Sequence, residues 1–204
     1  MEIKATDIAK LRKSTGVGMM DAKKALVESG GDFDKAIDAL RKAGAAKAAK
    51  KADREAVEGY IATYIHGEGR IGVMVEVNCE TDFVAKNDDF KALAHEIALH
   101  IAAMNPLYIT EEDIPAEVLE KEKELVVEQL KSEGKPADRL EQIVEGKLAK
   151  YMEEVVLLNQ PFVKDDKKSV GQLIQDGIQK IGENIQVTRF ARFTIEGNPN
   201  ACRI

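Results

Sequence analysis

A glycine-rich run at residues 67–72 has the spacing of a nucleotide-binding fingerprint. Gly67, Gly69 and Gly72 match G-x-G-x-x-G, which binds phosphate when it opens a helix, because the N-terminal amides and the helix dipole then face the anion. Here the segment from Ile71 to Cys79 follows, and its strict alternation of apolar residues predicts a strand. We interpret the run as a hairpin turn rather than a phosphate-binding loop. The sequence feature that most favoured a nucleotide-dependent enzyme therefore does not support one.

Other residues of the types that catalyse or bind metals are few and scattered. His95 and His100 are five positions apart, which turns them ~140° from each other on a helix, so both are interpreted as ordinary helix residues. No zinc pattern and no nucleophile–base pair stands out. The G-x-x-x-x-G-K-S/T loop of GTP-binding proteins does not occur either. We therefore expect no catalytic residue, no metal site, no cofactor and no enzymatic activity.

The segment Thr81-Asp82-Phe83-Val84 differs from these because it places an aromatic ring beside a carboxylate in a loop. Loops between a strand and a helix commonly carry function. A structural role is the alternative, in which Phe83 packs into the core and Asp82 caps a turn. The residue types alone leave both interpretations open.

The composition narrows the class of partner. The chain has 204 residues, of which 44% are apolar and 32% charged, a balance typical of globular proteins. A net charge of −6 argues against nucleic acid as the main partner, since phosphate binding needs a basic face. No apolar run approaches the ~18 residues of a membrane span. With no signal or transit peptide pattern, and with Cys79 and Cys202 unpaired in sequence, we expect a cytoplasmic protein.

Three short helices are predicted in residues 1–44. Helical spacing of apolar residues runs from Thr6 to Lys13, from Met19 to Ser29, and from Asp32 to Gly44, where glycine is expected to stop the last helix. The lysine- and alanine-rich residues 45–56 are predicted to be a linker.

An α+β core is predicted for residues 57–204, with three antiparallel strands and several helices. The strands are a hairpin of Val57–His66 and Ile71–Cys79, and a third segment, Ile185–Ile195. Four helices are expected between them: the first is capped at Asn87 or Asp88, the second begins at Pro115 and runs to Gly134, the third opens at Pro136 and ends before Pro161, and the last runs from Ser169 to Gly182.

Two long stretches of the sequence resemble elongation factor Ts, the bacterial exchange factor for elongation factor Tu. They are LRKSTGVGMMDAKKAL at residues 11–26 and EVNCETDFVAKN at residues 76–87, with QPFV at 160–163 and the closing strand as further matches. Their order and spacing are those of the family, and the resemblance extends across almost the whole chain.

The resemblance implies a function as well as a fold. It makes the N-terminal helices a module of the ubiquitin-associated type, with Met19, Met20 and Lys23 as candidate contacts to the partner's nucleotide domain. It also implies that Thr81, Asp82, Phe83 and Val84 enter elongation factor Tu beside its magnesium site and promote release of GDP. The alternative is a dimeric adaptor that binds a protein through the helical module without exchange activity.

A homodimer is predicted through the sheet. Tyr60, Ala62 and Tyr64 share one face of their strand, while Ile61 and Ile65 take the other, and apolar residues on both faces of a small sheet indicate a partner surface. The resemblance adds that longer family members carry a second core half and a C-terminal module, for which this chain lacks room. A second copy of the chain could replace that half. The alternative is that the helices of the same chain cover both faces of the sheet.

Overall fold

A computed structural model describes residues 3–133 and 140–195 as two compact units. Of the described residues, unit 1 takes those within Met1–Thr63, Met74–Glu96 and Gln172–Phe190. Unit 2 takes those within Tyr64–Val73, Ile97–Gly171 and Ala191–Ile204. The elements in chain order are α1 (Ala5–Thr15), α2 (Met19–Glu28), α3 (Phe33–Ala49), β1 (Glu58–His66), β2 (Ile71–Cys79), α4 (Asp82–Ala85), α5 (Asp88–Met104), a 3-10 turn (Glu111–Asp113), α6 (Ala116–Ser132), α7 (Leu140–Val155), β3 (Pro161–Phe162), β4 (Asp165–Ser169), α8 (Val170–Ile181) and β5 (Ile185–Thr194).

The three N-terminal helices form as predicted and share one apolar cluster in unit 1. Gly16 ends α1 with a φ of 72°, a conformation that glycine adopts without steric cost, and its N–H donates to the carbonyl of Arg12. Asp32 caps α3 by accepting a hydrogen bond of 3.1 Å from the N–H of Lys35. The buried members of the cluster are Ile8, Leu11, Val17, Ala22, Ala25, Leu26, Ala36 and Leu40.

The predicted end of the third helix at Gly44 is wrong, because α3 continues to Ala49. Gly44 is buried, and a β-carbon at that position would lie 2.6 Å from Oε1 of Gln179. The glycine therefore permits close approach to a neighbouring side chain rather than ending the helix, and the alanine-rich residues that follow favour helix. The division into a module at 1–44, a linker at 45–56 and a core at 57–204 stays a prediction.

The predicted three-stranded sheet is confirmed, with strand order β1-β2-β5 and antiparallel pairing. Alternate residues of β2 are buried, namely Val73, Val75, Val77 and Cys79, as the sequence pattern predicted. In β1, Ala62 is buried while Ile61 and Ile65 are exposed. β5 ends at Thr194, one residue before the predicted end.

Two neighbouring residues of β5, Thr188 and Arg189, bind side chains of β2. The hydroxyl of Thr188 contacts Oδ1 of Asn78, and Nε of Arg189 donates to Oε2 of Glu76 at 2.6 Å. Glu76 and Asn78 lie on the face of β2 opposite the buried valines, so side-chain contacts join β5 to β2 in addition to their backbone pairing.

Unit 2 is organised around the second half of α5 and the helices α6 and α7. The side chains of Val126, Leu130 and Val144 form the buried contact between α6 and α7. The predicted opening of α7 at Pro136 and the predicted end of α6 at Gly134 lie outside the described residues. α7 ends at Val155, six residues before Pro161, and β3 pairs with β4 in a small hairpin that the sequence analysis did not predict.

No helix in residues 3–133 and 140–195 is both long enough and apolar enough to cross a membrane.

Candidate partner-binding site

The Thr81–Val84 segment follows the buried end of β2 and forms a single helical turn instead of the expected open loop. Thr81 is the N-cap of α4, and its hydroxyl oxygen accepts a hydrogen bond of 3.4 Å from the N–H of Val84. Ala85 is buried beneath the turn. Thr81, rather than Asp82, therefore caps this turn.

Phe83 projects from α4 into solvent. Its side chain is 81% exposed, the highest value among the large apolar residues of the described chain. The interpretation that Phe83 packs into the core is therefore wrong. Nearly all of the aromatic ring is therefore available for contact with another molecule.

Asp82 points along the same turn toward a lysine. Its Oδ2 accepts a hydrogen bond of 2.7 Å from Nζ of Lys86, one turn later. This hydrogen bond and the lysine charge hold the pKa of Asp82 below its usual range, so its carboxylate stays ionised near neutral pH.

A carboxylate distant in sequence binds the start of the segment. Glu183, in the turn between α8 and β5, accepts backbone hydrogen bonds on Oε2 from the N–H groups of Glu80 (3.1 Å) and Thr81 (3.0 Å). Its Oε1 accepts a third hydrogen bond, of 2.6 Å, from the hydroxyl of Thr81.

The side chain of Glu80 binds the α8–β5 turn in the same way that Glu183 of that turn binds residues 80–81. Its Oε1 accepts the N–H of Asn184 at 2.7 Å, and Nη1 of Arg54 lies 3.4 Å from the same oxygen. The backbone N–H of Asn184 and the charge of Arg54 lower the pKa of Glu80. Asn184 is buried and donates from Nδ2 to the carbonyls of Ala52 and Arg54.

The sequence analysis missed Glu183, Glu80, Asn184 and Arg54. The available sign was a charged residue directly after the glycine that ends α8, but only the fold brings it to residues 80–81.

Cys79, the last residue of β2, is fully buried and donates from Sγ to the carbonyl of Thr81 at 3.3 Å. Burial, and secondarily the charge of Glu183, raises the pKa of Cys79 to about 11. The thiol is therefore almost entirely protonated at neutral pH, which is typical of a structural cysteine. Cys202 lies outside the described residues.

The three residues expected on the N-terminal module share one exposed face of α2. Met19 and Met20 are 49% and 75% exposed, and Lys23 is exposed one turn later. Helical geometry places Met19, Met20 and Lys23 within about 100° of each other. Val27, at 57% exposure, extends this face by another turn and was missed by the sequence analysis. Both α2 and α4 belong to unit 1.

Within the part of the chain that the structure describes, no three His, Cys, Asp or Glu side chains are grouped so as to hold a metal ion.

Comparison with known proteins places these features in a family. The family model "Elongation factor TS" matches residues 7–177. Elongation factor Ts of Fervidobacterium nodosum is 56% identical over 195 residues, covering 96% of this chain and 99% of the relative. The protein of the same name from Syntrophomonas wolfei is 55% identical over 193 residues, with coverages of 95% and 90%. That from Thermosipho melanesiensis is 54% identical over 193 residues, with coverages of 95% and 98%. This chain belongs to the elongation factor Ts family.

Proposed function

We propose that this protein is the guanine nucleotide exchange factor for elongation factor Tu in cytoplasmic translation, and that it acts by binding rather than by catalysing a reaction. The observation that carries the proposal is the exposure of Phe83, at 81%, on a turn that is fixed to the body of unit 1. Family membership supports the same role.

In this proposal, Phe83 enters an apolar slot of the partner beside the magnesium and phosphate site, and Asp82 fixes the register. A GTPase holds its nucleotide through a phosphate loop and a bridging magnesium ion. A ligand shifts an equilibrium only through its differential affinity for the two states. The contacts of Phe83 must therefore form when the site is distorted, so that binding of the factor weakens binding of GDP.

The free energy gained by burying one phenylalanine side chain is too small to account for fast release of GDP. A thousandfold faster release requires about 4 kcal/mol, whereas burying one Phe side chain contributes at most about 3 kcal/mol. We assign the remainder to a wider surface that includes Met19, Met20, Lys23 and Val27 on α2. Exposed methionines adapt their shape to a partner surface at low cost, which suits this role.

Release of fluorescently labelled GDP from elongation factor Tu, measured with and without this protein, tests the proposal. Acceleration that grows with the concentration of the factor supports exchange. Stable binding without acceleration supports the adaptor, and nucleotide turnover by this protein alone supports an enzyme. Either of the last two results contradicts the proposal.

We also propose that two copies associate through the sheet. Ile61 and Ile65 project from the same side of β1 and are 51% and 65% exposed. Among residues 3–133 and 140–195, β1 pairs with β2 and forms an edge of the sheet. Apolar side chains that repeat on the outer side of a strand are buried when two sheets pack face to face, which is the geometry of a two-fold symmetric dimer. Nucleic acid and membranes are not partners in this proposal.

A further inference from the structure

We propose that Glu183 is the positioning residue of the Thr81–Val84 segment, so that a residue of the α8–β5 turn sets the direction in which Phe83 is presented. This inference rests on the proposed function. It concerns a side chain that lies outside the segment and that need not touch the partner.

α4 cannot hold its own orientation. It has four residues, which is one turn, and a single turn is unstable without external contacts because nucleation is costly. Phe83 is 81% exposed and so contributes little packing. Ala85, with 9% exposure, is the one buried residue of the turn. The orientation of α4 therefore depends on how its two ends are held. Its C-terminal end leads directly into α5, and its N-terminal end is bound by a side chain from a distant element.

Glu183 holds that end through both of its carboxylate oxygens. Oε2 accepts the consecutive N–H groups of Glu80 and Thr81, and Oε1 accepts the hydroxyl hydrogen of Thr81. With its hydrogen directed at Glu183, the Thr81 hydroxyl presents a lone pair to the N–H of Val84. The carboxylate thus orients the cap of α4 as well as its backbone.

The hydrogen bonds of Asn184 and Glu80 near the α8–β5 turn stabilise unit 1 rather than α4. Asn184 binds the carbonyls of Ala52 and Arg54, and Glu80 binds the N–H of Asn184, so these residues join three segments of unit 1. Within the described part of the chain, the side-chain hydrogen bonds of Glu183 go to residues 80 and 81. Loss of Glu183 should therefore loosen the segment while unit 1 remains folded.

Exchange kinetics with double variants provide the test. We expect Glu183→Ala to lower the rate of GDP exchange by about tenfold when the exchange factor is present at limiting concentration. The reason is that the loosened Thr81–Val84 segment must then be ordered when it binds the partner. Glu183→Gln keeps an acceptor oxygen and should lose about threefold. Glu55→Ala removes an equally negative, exposed side chain of unit 1 and should have no effect.

The decisive comparison is made in a Phe83→Ala background. If Glu183 acts only through Phe83, adding Glu183→Ala should change the rate of Phe83→Ala by less than about twofold. A further tenfold loss in that background would show that Glu183 acts elsewhere and would overturn the proposal.

Thiol labelling gives a second readout, which needs no partner. In a Cys202→Ser protein the remaining thiol is Cys79, which lies directly before the segment. Glu183→Gln removes the nearby charge, and Glu183→Ala removes the charge and the tether together. We expect Cys79 to react at least about fivefold faster in the Ala variant than in the Gln variant, with thermal midpoints that agree. Equal labelling rates in the two variants would overturn the tether.

The two proposals fail in distinguishable ways. A wild-type protein that does not accelerate GDP release contradicts the proposed function, whereas the labelling experiment still measures the tether. Normal exchange by Glu183→Ala beside an active wild type contradicts only the positioning role.

Discussion

Nε2 of His100 donates a hydrogen bond of 2.9 Å to Oε1 of Gln160, and both side chains are fully buried in unit 2. The other ring nitrogen, Nδ1, accepts the N–H of Val163 at 3.2 Å. The amide of Gln160 in turn donates to the carbonyl of Glu154 at 2.6 Å. This arrangement fixes His100 as a neutral imidazole with its hydrogen on Nε2, because a protonated Nδ1 would face an N–H donor.

The protein should lose stability as the pH falls below about 6.5, the usual pKa of histidine. Burial lowers the pKa of His100 in the folded state, so the unfolded chain binds more protons in that range. This stabilising contribution is fully present above pH 6.5 and declines as the pH falls toward the lowered pKa. Thermal midpoints from pH 8 to pH 5 measure it. His100→Gln should flatten the dependence, whereas His95→Gln on the exposed side of α5 should not. Equal profiles for all three proteins would contradict this assignment.

Phe83→Ala should slow GDP release from elongation factor Tu by about tenfold or more, because a central aromatic anchor is worth roughly 2–4 kcal/mol. Its thermal midpoint should equal that of the wild type, since the side chain is 81% exposed. The matched control is Phe90→Ala, which removes a fully buried ring of α5 and should cost about 3–5 kcal/mol of stability. A stable Phe83→Ala protein with normal exchange would exclude the wedge.

Met20→Ala should weaken binding to elongation factor Tu by roughly tenfold without affecting the fold, since Met20 is 75% exposed at the start of α2. Calorimetric titration gives the affinity. Leu125→Ala, which truncates an exposed apolar residue of α6, should bind normally. Equal affinities for the two variants would remove α2 from the proposed interface.

Cys79 should be labelled very slowly by iodoacetamide in the folded Cys202→Ser protein. With a pKa of about 11, only about 0.1% of the thiol is ionised at pH 8. The labelling rate should rise about tenfold per pH unit between pH 7.5 and 9.5, without the plateau of an ordinary thiol. A plateau near pH 9 would show that Cys79 is solvated.

Ile61→Lys combined with Ile65→Lys should convert the proposed dimer into a monomer, because both side chains project from the outer side of β1. Packing two sheets face to face would bury these lysine charges without partners, which is costly. Light scattering at micromolar concentration measures the mass. Leu125→Lys, at an exposed position on α6 outside the sheet, is the control. A wild type that is already monomeric would contradict the dimer.

The elements that the sequence predicted well are those with a strong local period. α2 and β2 show their buried faces directly in the spacing of Ala22, Ala25 and Leu26 and of the alternating valines. The sequence also indicated Phe83, but chemistry alone could not decide whether its ring was buried.

The features that were missed depend on contacts between distant residues. Gly44 looked like a helix stop because its partner, Gln179, is 135 positions away. Glu183 looked like an ordinary surface carboxylate because its hydrogen bonds cross from the α8–β5 turn to residues 80–81. The period of a helix or strand carries no information about such pairs.

The sequence separation of 102 residues between Thr81 and Glu183 also has a consequence for biosynthesis. Contacts of such long range form late, since the intervening chain must first be present and closing the loop costs entropy. At about 5–20 residues per second, the ribosome needs roughly 5–20 s to advance from Thr81 to Glu183. A nascent chain can complete its N-terminal helices during this interval but cannot yet fix the turn that carries Phe83. The newly made factor therefore acquires the partner-facing geometry of this turn only after Glu183 has been synthesised and has folded against residues 80–81.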